Sequence, residues 1–296
     1  MSIEKILFPT KFRELAFDAL ESLFVLKEAG LREVLLLHVI LREDVGFVPF
    51  GGYLRKEEER RREEARIRFE DWQKSLSEKG IDSRIIINVG EPVHEILTVA
   101  EKEQAGLIVV GRKKRIDTED SFIGSHTHKI ITRTRIPTLV SKYMVQFQWD
   151  DATLTKVNGS PFEAPLVVVD WTELSGKVVG FLSGLCGAVR KVRVFYNLDA
   201  DTLRGSSESE ISRLKEDSLR KLRNYCGKLE SCGMEAEPHL GAGEMLDEIL
   251  RVSRERKASM IMIGNTCEQH FLDRMLHRSI SYEVTRASEL PVLLVG

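Results

Sequence analysis

The chain has 296 residues, 42% hydrophobic and 30% charged, about twice the size of a common domain, with enough apolar material for two cores. A net charge of −2 excludes a global pull toward nucleic acid or an anionic membrane. The longest apolar stretch, 178–189, falls short of the roughly 20 residues that a membrane-spanning helix needs.

The first residues, MSIEKILFPT, carry Glu4 and no hydrophobic core of the kind a secretory signal has. Residues 6–9 are a short apolar run that reads as a buried strand. A helical stretch follows, then a second strand at 35–40 (LLLHVI) and a long charged helix over 54–79. That helix shows Ile67, Trp72 and Leu76 among Lys, Arg and Glu, and its ERRREEAR run (59–66) sets opposite charges four residues apart. Gly80 stands where a helix C-cap glycine belongs. A third strand (84–89), a helix (91–104), a fourth strand (107–111), a loop, a helix from about 124 and a last strand (136–140) complete the unit.

The same order then recurs. GEPVHEIL (90–97) matches GEMLDEIL (243–250), LIVVG (107–111) matches MIMIG (260–264), and IPTLV (136–140) matches LPVLL (290–294). Glu95 precedes Gly111 by 16 residues, as Glu248 precedes Gly264. These correspondences, with ILFPTKF near residue 7 and LVVVDWT near residue 166, lie at offsets of 153 to 159 and mark a duplication. The second copy has strands at 166–169, 192–197 and 235–240, a long helix at 208–231 and Gly233 at its end. Its first helix carries Gly176, Gly180 and Gly184, read as allowing close packing on the sheet. Continuous apolar strands alternating with helices argue a parallel sheet covered on both faces. The division is 1–143, a polar segment 144–164 that is either a linker or a hairpin, and 165–296.

The informative segment follows the fourth strand: Gly111, Arg112, Lys113 and Lys114, then nine residues, then Gly124, Ser125, His126 and Thr127. A loop at the carboxyl edge of a parallel sheet lies where open α/β folds bind ligands. Gly124 lets backbone N–H groups approach a phosphate, Ser125 and Thr127 add hydroxyl donors, and Arg112 to Arg115 add cations. The plain alternative is a solvated basic loop ahead of a helix. This glycine spacing, with ILFPT at the start, LLLHV in the second strand and IPTLV at the end, resembles the universal stress protein family over both halves. The resemblance implies two tandem flavodoxin/adenine-nucleotide-hydrolase-like α/β domains, each a five-stranded parallel sheet of order 3-2-1-4-5. It implies pairing of the two halves through their last strands, 138–143 and 292–295, as an intramolecular pseudo-dimer, a homodimer of such chains remaining open. It also implies ATP or AMP in the first half against Pro9, Thr10, Lys11, Val39, Gly111, Gly124, Ser125 and Thr127, with Mg or Mn only if a triphosphate binds.

The sequence departs from that family at Lys11, where an aspartate contacts the nucleoside, and at Lys114, where a second glycine stands. A lysine accepts no hydrogen bond from ribose. The second half has the reverse pattern: Asp170 is present, but His277 or Arg278 replaces the later glycine, so poor binding is expected there. His126 and His128 alternate, which is poor metal spacing on a helix. His38 reads as a satisfied core histidine, and the third glycine of a dinucleotide loop is missing after Gly241 and Gly243. Cys186, Cys226, Cys232 and Cys267 form no CxxC pair and read as the reduced thiols of a cytoplasmic protein. No nucleophile elbow, paired catalytic carboxylates or HExxH motif is present, so no catalytic residue and no metal site are assigned. The expected function is a nucleotide-responsive binding or signalling module without nucleic-acid or membrane partners. The alternatives are a scaffold that binds no nucleotide and, last, a slow ATP hydrolase.

Overall fold

The computed structural model describes residues 3–46, 54–111, 123–149, 152–265 and 279–296. The first half runs β1 (Lys5–Pro9), α1 (Ala16–Glu21), a 3₁₀ turn (Phe24–Ala29), β2 (Glu33–Leu41), α2 (Arg42–Val45) and α3 (Arg55–Glu78). It continues through β3 (Asp82–Gly90), α4 (Pro92–Lys102), β4 (Leu107–Gly111), α5 (Ser125–Ile131) and β5 (Thr138–Ser141). The polar segment between the halves forms an antiparallel hairpin, β6 (Met144–Trp149) and β7 (Ala152–Val157). The second half repeats the pattern with β8 (Leu166–Val168), α6 (Glu173–Ser183), β9 (Lys191–Asp199), α7 (Ala200–Arg204) and α8 (Glu208–Glu230). Then come β10 (Glu235–Gly243), α9 (Met245–Glu255), β11 (Ile261–Gly264), α10 (Ile280–Ala287) and β12 (Val292–Val295).

Each half has the strand order 3-2-1-4-5, all parallel, and the two sheets join into one of ten strands. The seam is the single antiparallel pair, with Val140 opposite Val292, Leu139 opposite Leu293 and Thr138 opposite Leu294. Leu139 and Leu293 are equivalents in the repeat, so the pseudo-two-fold axis passes through their pair and the contact is self-complementary. Closing this pair removes two apolar edges that would otherwise be open to aggregation. The strands proper end before Lys142 and Tyr143, short of the expected pairing limit.

One face of the sheet packs against α1, α3, α6 and α8, through Leu20, Phe69, Val178 and Leu222. The other packs against α4, α5, α9 and α10, through Ile96, Ile130, Ile249 and Val284. Two sequence expectations need correction. Ile67 is 56% exposed, and the buried stripe of α3 is Ala65, Phe69 and Leu76 with Trp72 half-buried; a helix this charged offers few apolar residues, and the stripe turns on Phe69 instead. Gly176 and Gly180 face solvent with open space around them, so they bring no helix close to the sheet; Val178, Val179 and Leu182 make that contact. Gly80 adopts φ +67° and Gly233 φ +89°, and the bonds from Ile81 N to Leu76 O and from Met234 N to Leu229 O close both long helices as expected.

The halves also meet outside the strand pair. The wholly buried Lys142 ammonium donates to the carbonyls of Thr285 (2.7 Å) and Ser288 (2.5 Å) at the C-terminus of α10. The Asn158 amide, from the end of the hairpin segment, donates to Lys142 O and Glu289 O. Gly187, past α6, lies so close to the Glu28 backbone that an added Cβ would stand 1.8 Å from its carbonyl oxygen, so only glycine fits.

Candidate functional site

Strand register brings the candidate residues of the first half to one edge. Leu7 is level with Ile108 and Pro9 with Leu37, so Thr10 stands level with Gly111 on one side and His38 on the other. Lys11 follows, past the end of β1. Thr10 N donates to Leu37 O (2.8 Å) and the Thr10 hydroxyl accepts from Phe12 N (2.9 Å), which fixes the turn out of β1. Phe12 adopts φ +53° there, held by Phe69 (ring centroids 4.6 Å apart) and His38 (5.0 Å). The second half builds the same turn: Trp171 follows Asp170 at φ +65° and packs on Tyr196 (4.2 Å). Lys11 and Asp170 are therefore the same position, as the repeat predicts.

On the other side, the buried Thr127 hydroxyl donates to Gly111 O (3.2 Å) and ties α5 to the end of β4. Gly124 is the residue before α5, in extended conformation, and no side chain caps the helix. The exposed Ser125 hydroxyl makes no hydrogen bond among the described residues, and His126 is exposed beside it. This leaves helix-start N–H groups and a hydroxyl available to an acceptor. Glu91 opposes them in part: its carboxylate caps α4 through His94 N (2.8 Å). Burial pushes this carboxyl up, but backbone hydrogen bonds from His94 and Val93 and the charges of His126 and Lys129 hold it below its usual range. Arg112, Lys113 and Lys114, proposed as the cations of this site, lie outside the described residues, as do Cys267, His277 and Arg278.

The equivalent edge of the second half is closed. A Cβ on Gly264 would stand 2.5 Å from Leu174 Cγ, because Leu174 of α6 lies across the end of β11; at Gly111 a Cβ meets nothing within 4 Å among the described residues. The Asp170 carboxylate is engaged locally, accepting from Thr172 N (3.1 Å), the Thr172 hydroxyl (2.5 Å) and the Ser175 hydroxyl (2.5 Å). Burial pushes its carboxyl up, and these hydrogen bonds outweigh burial and hold it below the ordinary value. The residue after Gly264, Asn265, donates from its amide to Ile131 O at the end of α5 in the first half (2.7 Å), and His128 meets Tyr282 edge-on at 4.8 Å. These two contacts and Leu174 were not legible in the motif.

His38 donates from Nδ1 to Thr10 O (3.0 Å) when that nitrogen carries the proton. Two hollows lie elsewhere, about 410 Å³ on the salt-bridged outer face of α9 and about 450 Å³ between α1 and the segment 159–163, and neither gathers donors as the β1–β4 edge does. Among the described residues no group of three or more His, Cys, Asp or Glu could hold a metal, and no helix is long and apolar enough to cross a membrane.

Comparison with known proteins agrees with this architecture. The sequence model of the universal stress protein family matches residues 2–142 and again 162–296. A universal stress protein of Methanocaldococcus jannaschii is 33% identical over 153 residues, 47% of this chain and 94% of that protein. The crystal structure of a universal stress protein from Archaeoglobus fulgidus superposes with a TM-score of 0.70 at 21% identity, over 99% of this chain and 96% of that one. A putative universal stress protein from Pseudomonas aeruginosa gives 0.67 at 16% identity, over 99% and 93%. The chain belongs to the universal stress protein family and carries its domain twice.

Proposed function

We propose that this universal stress protein is a nucleotide-responsive binding module that takes an adenine nucleotide, ATP or AMP, at the β1–β4 edge of its first half. The observation that carries the reading is the contrast between the two halves. Among the described residues nothing fills the space over Gly111, to which the start of α5 is tied through Thr127, whereas at Gly264 Leu174 fills the same space. The nucleoside would lie against Pro9, Thr10 and Val39, and the phosphates would meet Gly124, Ser125 and Thr127 with Arg112, Lys113 and Lys114 as counter-charges. A divalent cation would enter only with a triphosphate. The second half, from about residue 165, would serve as the partner that completes the pseudo-dimer. The proposed output is binding, the groups that face this edge among the described residues being hydroxyls and backbone N–H donors. Calorimetry with AMP and with ATP tests it. The reading expects one site per chain, retained in Asp170→Ala and lost in Gly124→Val. The reverse pattern would put the site in the second half.

A further inference from the structure

Around the turn out of β1 the first half places two cations that no ion pair neutralises among the described residues. Lys11 is exposed and makes no ion pair among the described residues. Arg68 of α3 lies over the Phe12 ring, its guanidinium carbon 5.3 Å from the centroid, and also has no carboxylate partner there. Burial foremost, and after it the charges of Arg68, Lys11 and Arg61, push the protonation of the His38 ring below the ordinary range, against the hydrogen bond to Thr10 O. Of these, Arg61 is held by Glu57 (2.8 Å) and Asp44 (3.1 Å). Lys11 and Arg68 are therefore the two uncommitted cations.

The second half shows what the same framework does without that excess. Lys221 takes the place of Arg68 and lies 5.3 Å over Trp171, the partner of Phe12. The position of Lys11 is there an aspartate whose carboxylate is occupied by Thr172 and Ser175. The corresponding first-half residues, Arg13 and Ala16, bring no acceptor to Lys11. The second half thus carries at this position an aspartate satisfied by its own hydroxyls, where the first half carries an exposed lysine beside Arg68. Like charges gathered at one edge repel one another, and a ligand anion placed between them relieves that repulsion.

We propose that Lys11 and Arg68 form a second anion subsite, on the ribose side of the first-half site, and that the ligand is a nucleotide phosphorylated on its 2′ or 3′ oxygen as well as at 5′. This rests on the nucleotide reading above and narrows its ligand class. The 5′ phosphate goes to Gly124–Thr127 and the second phosphate to Lys11, with the Arg68 guanidinium behind it. An ammonium at that point can donate to a ribose hydroxyl but not accept from it, whereas its bond to a phosphate oxygen is charge-assisted from both sides.

The test is calorimetry of the full chain with AMP, adenosine 2′,5′-bisphosphate and adenosine 3′,5′-bisphosphate, on wild type, Lys11→Gln, Arg68→Gln and, as a remote control, Lys215→Gln on the outer face of α8. One of the bisphosphates is expected to bind roughly tenfold tighter than AMP, the value of one added charge-assisted contact. That ratio should fall toward one in Lys11→Gln and Arg68→Gln and stay in Lys215→Gln. If AMP binds and neither bisphosphate is preferred, or if the preference survives Lys11→Gln, the second subsite is wrong and the nucleotide reading stands. If none of the three nucleotides binds, both are wrong.

Discussion

Lys142 offers the sharpest test of how the halves are held together. Replacing it with methionine keeps most of the stem volume and removes the ammonium. The carbonyls of Thr285 and Ser288, now 2.7 and 2.5 Å from the Lys142 nitrogen, would then stay buried without that charged donor. Each unsatisfied carbonyl costs about 1–3 kcal/mol, and the relief of no longer burying an ammonium offsets part of the sum. The expected net loss is about 2–4 kcal/mol, near the values found on breaking a buried charged network. Urea unfolding followed by far-ultraviolet circular dichroism reads the change. Amide exchange should localise it to β5, α10 and β12, since these are what the lysine joins. A midpoint that stays put or rises in Lys142→Met would show that the ammonium is tolerated there and does not fasten the seam.

Other outcomes follow from the same contacts. Ser125→Ala should weaken nucleotide binding by about 1.5–3 kcal/mol, the worth of one hydroxyl donor to a charged acceptor, with titration calorimetry as the check. Asp170→Ala should cost about 1 kcal/mol of stability by removing the acceptor shared by Thr172 and Ser175 ahead of α6, and leave nucleotide affinity alone. Asp170 and Glu289 both have carboxyls held below their ordinary values in the fold: burial raises each, but Ser175 and Thr172 in one case and Arg254 in the other outweigh it. Their contribution is therefore present above the unfolded carboxylate range and lost as pH falls through the folded values; melts between pH 7 and 3 should show it, with a shallower fall in Asp170→Ala. Leu139→Ala and Leu293→Ala should each cost about 2–5 kcal/mol, and the double variant less than the sum, because the two side chains face each other on the axis.

Much of the fold was legible because duplication supplied an internal control. GEPVHEIL and GEMLDEIL begin α4 and α9, LIVVG forms β4, and IMIG forms β11. The seam was expected from the family resemblance, and the apolar last strands, edges that want a partner, agree with it. Choosing between linker and hairpin for 144–164 was not, since Gln and Thr suit either, and the pairing of Met144 with Val157 appears only in the structure. The stripe of α3 was misassigned at Ile67 because nearly every other residue there is charged and one apolar residue weighs too much. Of the candidate site, the loop glycine and hydroxyls could be picked from spacing. The cover on Gly264 could not, because Leu174 acts from another element through shape. The Arg68 contact left one usable signal, the cation at the same offset in Lys221. Lys142 left none: a lysine after a strand reads as exposed, and only the carbonyl ends of α10 make it a buried donor.

Mass spectrometry of the small molecules released from purified, heat-denatured protein tests the nucleotide reading most directly. The account predicts an adenine nucleotide in wild type and Asp170→Ala, and its absence from Gly124→Val, where a branched side chain stands at the closest backbone approach. A wild type that releases no nucleotide, and binds none added at millimolar concentration, would contradict it and leave the ten-stranded pseudo-dimer as a scaffold.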